Sequence, residues 1–227
     1  MGKQFISILK YLIHCLFEAI YPFKEECIIC KEDTKEDFLL CRSCYNKIKF
    51  CESSYIVDKK NSDYYICFCL AYYSNIIAEL ILRLKYKQDY QCGEALGNMM
   101  SSMIAKNKLE ADIITFVPCT KQALKKRGYN QSLLLAKAIG DNLRIKVVDC
   151  LLKVKDTKDQ IGLNEEMRWA NLRDSYKFNS DIDIANKKII LVDDVLTTGA
   201  TTFFCAQQLM EGNASSVIVL TVAKSRL

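Results

Sequence analysis

The sequence predicts an α/β protein: a mostly parallel sheet with helices on both faces, preceded by a small cysteine-bound module. Three observations carry this. After residue 64, short apolar runs alternate with stretches of helical spacing, the pattern of parallel strands joined by crossover helices. Ile189–Val192 is a continuous apolar run, as a strand covered on both faces requires. Ahead of that domain, Cys27-x2-Cys30 and Cys41-x2-Cys44 put four thiols on two tight turns.

The 227 residues, half of them hydrophobic, suffice for one medium domain and a small appendage. Two prolines and eight glycines leave no room for a long flexible linker. A net charge of +5 permits contact with phosphates or nucleic acid without requiring either. The one histidine, His14, sits in an apolar stretch, which excludes His-dependent triads and HExxH metal sites. Twelve cysteines with no cleavable signal peptide ahead of them fit a reduced, cytoplasmic protein with a metal site better than a secreted disulfide scaffold.

Element by element, residues 1–23 read as an amphipathic helix. Lys3, Ser7, Lys10, His14 and Glu18 form one polar stripe, and Pro22 ends the segment too early for a membrane span. Such a helix packs on the rest of the protein or lies on a membrane or partner. Residues 24–63 hold the close-spaced cysteines, and 64–227 form the main domain. Within that domain the spacing predicts helices at 76–86 and 92–106, then a strand at 113–118. A basic turn, a helix at 129–142 and a strand at 146–152 follow. Residues 155–175 read as a long polar loop with some helix. A strand at 188–193, a helix at 200–211 closed by Gly212, and a strand at 216–223 complete the order.

Asp193 and Asp194 fall at the carboxyl end of the predicted strand, where open α/β sheets take their ligands. The turn that follows, Val195, Leu196, Thr197, Thr198, Gly199, Ala200 and Thr201, leads into a helix. It offers backbone N–H groups, hydroxyls and the positive end of a helix dipole, which together make a phosphate seat. Glycine at 199 allows a close approach or a positive φ. The carboxylates would repel that phosphate, but they can accept hydrogen bonds from sugar hydroxyls and hold Mg²⁺ through water. A ribose 5-phosphate satisfies both halves. There is no G-x-x-x-x-G-K-[ST], so a Walker-type nucleotide site is excluded. The loop after the strand at 113–118 carries Cys119, Thr120, Lys121, Lys125, Lys126 and Arg127. If the two strands are neighbours, these amides and cations face a pyrophosphate next to the ribose.

The stretch IILVDDVLTTGATT resembles the phosphoribosyl pyrophosphate (PRPP) signature of type I phosphoribosyltransferases. The wider pattern is similar to the ComF family, competence-associated phosphoribosyltransferase-like proteins with an N-terminal zinc module. The matching pieces are LRLKY (82–86), VPCTKQALKKRGYNQS (117–132) and KDTKDQIGLNEEMRWANLRDSYKF (155–178), together with the signature itself. The resemblance implies that Arg127, Gly128, Asn130 and Gln131 form the family's RG-aromatic-NQ element. It places Thr157, Gln160, Leu163, Arg168, Asn171 and Leu172 on a second element, within a stretch that is either a lid over the ligand or a packed helical hairpin. It further implies PRPP with Mg²⁺ as ligand, Asp193 and Asp194 as the acids of the site, and a role in DNA uptake. Single-stranded DNA or DNA-processing and recombination proteins are the partners so implied. A binding module without turnover remains the alternative, and no residue stands out as a general base.

The four cysteines at 27, 30, 41 and 44 are enough to close a tetrahedral zinc site, which would be structural because no coordination position is left open. The family often carries a further CxxC, whereas this chain reads Cys51-Glu-Ser-Ser54, and Cys67-x-Cys69 has the wrong spacing for a knuckle. Cys15, Cys92, Cys150 and Cys205 are expected in the core.

Overall fold

Strands and helices do alternate after residue 64, and the sheet they make decides where the site sits. The computed structural model describes residues 26–34, 39–58, 64–155, 169–170, 172 and 174–225. Contacts divide the chain into two units, 1–45 and 46–227.

In the first unit, backbone hydrogen bonds fold the first CxxC into a tight turn. Glu26 and Asp33 form an antiparallel bridge, the Cys27 amide donates to the Glu32 carbonyl, and the Lys31 amide donates to the Cys27 carbonyl. Lys31 takes the left-handed conformation at φ 64°. Helix α1 (Arg42–Asn46) begins at the second CxxC. Ile28 and Leu40 are buried beside the cysteines, a small apolar content that needs a further crosslink to hold a fold.

In the second unit, six strands form one sheet. They are β1 (Tyr55–Asp58), β2 (Tyr64–Tyr72), β3 (Ile113–Phe116), β4 (Lys146–Val147), β7 (Lys188–Leu196) and β8 (Ser216–Lys224), in the order β1-β2-β8-β7-β3-β4. Every pairing is parallel except β1 with β2. β5 (Leu151–Lys153) and β6 (Tyr176–Phe178) make a separate antiparallel pair. The helices are α2 (Asn75–Tyr86), α3 (Tyr90–Lys106), α4 (Lys121–Arg127), α5 (Gln131–Leu143) and α6 (Ala200–Glu211). Phe203, Cys205 and Leu209 of α6 share one core with Cys67, Cys69, Leu191 and Val219 of the sheet. On α3 and α5 the apolar faces meet so closely that a Cβ at Gly97 would lie 2.4 Å from the Ala138 Cβ. Cys92, Cys150 and Cys205 are fully buried, as expected.

The elements depart from the sequence reading in several places, beginning with α1, β1, β2 and β6, which it did not predict. The strand expected at 188–193 runs on to Leu196 because β8 continues alongside it, pairing Val195 with Ala223 and Leu196 with Lys224. The strand expected at 146–152 breaks into β4 and β5, which join different sheets. The basic turn is a helix, α4, capped by the Thr120 side chain on the Ala123 amide and ended by Gly128 at φ 82°. Residues 46–58, read as part of the cysteine module, group with the larger unit because β1 hydrogen-bonds to β2. The N-terminal helix and most of 155–175 lie outside the described residues. At the end of the latter, Trp169 stacks edge-on against Phe203 and Phe204 and Leu172 is buried. No described helix is long and apolar enough to cross a membrane.

Candidate functional site

The register of β3 on β7 sets the site. Phe116 pairs with Val192, and the Val117 amide donates to the Val192 carbonyl at 3.0 Å. The loop carrying Cys119, Thr120, Lys121 and Arg127 therefore leaves the sheet at the end where β7 carries Asp193 and Asp194, which meets the condition set by the sequence. Asn130 fixes the return of that loop. Its side-chain amide donates to the Val117 carbonyl at 2.9 Å, and its Oδ1 accepts the Ser132 amide at the start of α5. Tyr129 donates its hydroxyl to the Leu84 carbonyl of α2. The RG-aromatic-NQ element is thus a clamp that joins β3, α2 and α5.

Both acids are buried, with 8% and 6% of their surface exposed, and both have partners within the chain. Asp194 Oδ2 lies 2.6 Å from Lys85 Nζ and accepts the Gln131 side-chain amide at 3.0 Å. Gln131 Oε1 accepts Arg127 Nη1 at 2.9 Å, so a second cation connects to the acid through one amide. Asp193 Oδ1 accepts the Ser132 hydroxyl at 3.0 Å and the Asp194 amide at 2.9 Å. Burial, and then the neighbouring Asp194 charge, push the Asp193 carboxyl up to about 7. Burial works against the charge of Lys85, but the Asp194 carboxylate outweighs it and holds the ammonium above its ordinary value. The sequence reading left these carboxylates open to a sugar. The structure instead leaves one oxygen of each, Oδ2 of Asp193 and Oδ1 of Asp194, outside the hydrogen bonds just described.

This donor set does not fit a directly coordinated Mg²⁺. Such an ion needs carboxylate oxygens at about 2.0–2.1 Å and an undisturbed octahedral shell. Here an ammonium sits on Asp194 Oδ2, and N–H and O–H donors take Asp193 Oδ1.

Beyond the acids, Val195 and Leu196 remain in the strand, paired with β8. Expected in the turn, they belong to the strand instead, and the turn begins at Thr197. Gly199 adopts φ 80°, and a Cβ there would lie 2.6 Å from Val57 Cγ1, so both conformation and space demand glycine. The Gly199 carbonyl accepts the Thr202 hydroxyl at 3.0 Å and the Phe203 amide at 2.8 Å, which starts α6. The first amides of α6 have no carbonyl acceptor within the helix. Ala200 makes only a long contact, 3.5 Å, with Thr198 Oγ1. Thr197, Thr198 and Thr201 are half-buried, as are Cys119 and Thr120, while Lys121 is exposed. The Thr120 hydroxyl oxygen is engaged in capping α4, and burial raises the Cys119 thiol.

Four residues of this site carried no assigned role in the sequence reading. Lys85 and Ser132 belong to motif pieces, but their contacts to the acids join segments far apart in the chain. Lys153 and Tyr176 face each other across β5 and β6, with the Lys153 ammonium 3.0 Å from the Tyr176 hydroxyl. That hydroxyl also meets the Thr201 side chain, so a cation from the second sheet lies near the turn at 197–201. One described cavity, of about 480 Å³, borders Tyr176, Phe178 and Gln208, and another, of about 310 Å³, lies between α3 and α5.

In the first unit, the sulfurs of Cys27, Cys30, Cys41 and Cys44 lie within 4.8 Å of one another, and those of Cys30 and Cys41 are 3.5 Å apart. Four thiolates at about 2.3 Å from one ion span such a cluster, so these residues fit a tetrahedral metal site. The Cys44 amide donates to Cys41 Sγ. Burial opposes the thiolate of Cys27, yet hydrogen bonds from nearby backbone outweigh it and lower this thiol to about 6. Among the described residues this is the one group of at least three His, Cys, Asp or Glu side chains arranged to hold a metal ion.

The site thus consists of a mostly parallel α/β sheet, an acid pair near the end of β7 and a glycine turn directly after it. No family model matches the chain. It is 24% identical over 208 residues to the DNA utilization protein YhgH of Escherichia coli K12, covering 88% of this chain and 90% of that protein. Competence protein ComFC of Bacillus subtilis is 28% identical over 155 residues, 67% of this chain and 62% of its own length. Competence protein F of Haemophilus influenzae is 31% identical over 140 residues, 58% of this chain and 61% of its own. These similarities are to proteins named for DNA utilization and competence, the setting that the motifs implied. Among solved structures, glutamine PRPP amidotransferase from Bacillus subtilis superposes with a TM-score of 0.43 at 19% identity, over 62% of this chain and 30% of that one. Adenine phosphoribosyltransferase from Leishmania tarentolae gives 0.42 at 11%, over 71% and 91%.

Proposed function

We propose that the chain binds a phosphoribosyl ligand, PRPP or a ribose 5-phosphate, at the end of β7 and serves in DNA uptake, with a structural zinc ion on Cys27, Cys30, Cys41 and Cys44. The observation that carries this reading is the turn at 197–201. A glycine at positive φ opens a helix there whose first amides have no carbonyl acceptor within the helix, directly after two acids. The 5-phosphate takes the amides and hydroxyls of Thr197, Thr198, Gly199, Ala200 and Thr201, with Lys153 adding charge. The ring hydroxyls take the remaining oxygens of Asp193 and Asp194. The pyrophosphate of PRPP faces Cys119, Thr120, Lys121 and Arg127. If transfer occurs, an acceptor nucleophile bonds to the anomeric carbon as pyrophosphate leaves with the electron pair of the broken C–O bond. The chain's own contribution is position and charge around an oxocarbenium-like state. The role in DNA uptake is proposed from relatives named for DNA utilization and competence.

Titration of PRPP into the pure protein tests the ligand. Binding is expected at micromolar affinity and should fall at least tenfold in Thr201→Val. Normal binding in that variant would remove the turn from the site. A specific observation favours a second use of the same surface. Tyr86 and Tyr90 are both more than half exposed, Arg127 lies 5.3 Å over the Tyr86 ring, and Lys87, Lys125 and Lys126 are exposed around them. Stacking rings beside cations suit single-stranded DNA. That use is marked by a steep loss of affinity with salt and by weakening in Tyr86→Ala.

A further inference from the structure

We infer that Lys85 is a built-in countercharge that takes the place of a divalent cation at the acid pair, so Asp193 and Asp194 hold no metal. The contact is direct, 2.6 Å from Nζ to Asp194 Oδ2, and both side chains are largely buried. Lys85 is not a surface lysine passing by. It sits in the last turn of α2, whose end is pinned from two sides. The Leu84 carbonyl accepts the Tyr129 hydroxyl, and Arg83 holds Asp89 through Nε at 3.0 Å. The neighbouring Gln131 amide occupies the same carboxylate oxygen and relays the charge of Arg127. One ammonium thus meets Asp194 directly and a guanidinium reaches it through one amide, so the acid pair already has its cations.

A Mg²⁺ ion entering this set would stand within a few ångströms of a buried ammonium. Repulsion between like charges in such a low-dielectric place is large, and desolvating the ion adds to it. Displacing Lys85 instead would leave it buried without its partner, which is costly as well. The acid pair is therefore tuned to receive neutral donors, the hydroxyls of a sugar. Any Mg²⁺ in the complex travels on the pyrophosphate of the ligand. The ligand half of this inference rests on the proposed phosphoribosyl reading; the metal half does not.

The metal half is read from the thermal midpoint of the ligand-free protein as MgCl₂ is titrated into buffer freed of divalent ions, without stripping metal from the cysteine cluster. The wild type is expected to show no midpoint shift beyond that of matched ionic strength. Lys85→Met, which exposes the acids to solvent ions, should gain a Mg²⁺-dependent rise of several degrees. A Mg²⁺-dependent rise in the wild type that Asp194→Asn abolishes would overturn the inference. Should Lys85→Met fail to fold, the wild-type arm and Lys85→Gln decide it by the same readout. The ligand half uses calorimetry of ribose 5-phosphate, which has no pyrophosphate to carry the ion. Its Kd should agree within twofold with and without Mg²⁺, and a tenfold or greater requirement for Mg²⁺ would contradict the inference. Absence of binding in both buffers sinks the phosphoribosyl reading, while the midpoint titration still decides the role of Lys85.

Discussion

Four sulfurs between Cys27 and Cys44 lie within 4.8 Å of one another, and two carboxylates, Asp193 and Asp194, adjoin each other on β7. Each group concentrates negative charge, and each needs an answer to it. The thiols are arranged around a common point, a geometry that a cation from outside must complete. Of the carboxylates, Asp194 has Lys85 at 2.6 Å and Arg127 one amide further away. One cluster is built to take a metal and the other is built to do without one. Proximity of acidic groups therefore does not by itself define a metal site; what the remaining lone pairs already accept does.

The largest effect is expected at the cysteines. Cys41→Ser should abolish binding of the proposed zinc, because a structural site contributes apparent binding energy on the order of 10 kcal/mol to a unit with little core of its own. Metal analysis should show the loss, and limited proteolysis should cut within residues 26–45 while the larger unit keeps its thermal midpoint. Retained zinc in that variant would break the contrast from the first side.

Next in size is Lys85→Met, which leaves a buried carboxylate unpaired and should cost about 3–5 kcal/mol. Denaturant unfolding measures it, and the double variant with Asp194→Asn should recover part of the loss. If the double variant is no better than the single one, Lys85 answers some group other than Asp194.

A smaller effect sharpens the acid side further. Burial and the Asp194 charge raise the Asp193 carboxyl to about 7, above the 3.8 of an unstrained aspartate. Its stabilising contribution is therefore complete below about pH 4 and is lost as pH rises through 7. Asp193→Asn cannot ionise, so its stability relative to wild type should improve between pH 5 and pH 8. A relative stability that is constant over that window would show that Asp193 ionises like an exposed acid.

The smallest effect is expected at Lys153. Its replacement by alanine removes an ammonium that touches Tyr176, and it should weaken ribose 5-phosphate binding about threefold to tenfold with little change in midpoint. An unchanged affinity would leave Lys153 as a partner of Tyr176 alone.

How much of this could be read beforehand differs between the two clusters for the same physical reason. The cysteine site is local: two turns of fixed spacing bring the ligands together, so the pattern alone reveals it. The turn at 197–201 is local too, and its glycine and threonines were legible. The acids were legible as residues but not as an environment. Lys85 is delivered by α2 and Ser132 by α5, and only the packing of those helices on the sheet shows that the carboxylates are buried and paired. Val195 and Leu196 looked like turn because two acids precede them, yet pairing with Ala223 and Lys224 keeps them in the strand. The short strand β1 was missed since Tyr55–Asp58 has a single buried residue, Val57. That same Val57 packs where a Cβ of residue 199 would be, so a weak strand helps to fix the glycine of the turn.

Backbone amide NMR during a titration with ribose 5-phosphate tests the phosphate seat most directly. The expected result is saturable shifts of the Thr198, Gly199, Ala200 and Thr201 amides, lost in Thr201→Val. Saturable binding that leaves those four amides unmoved would contradict it.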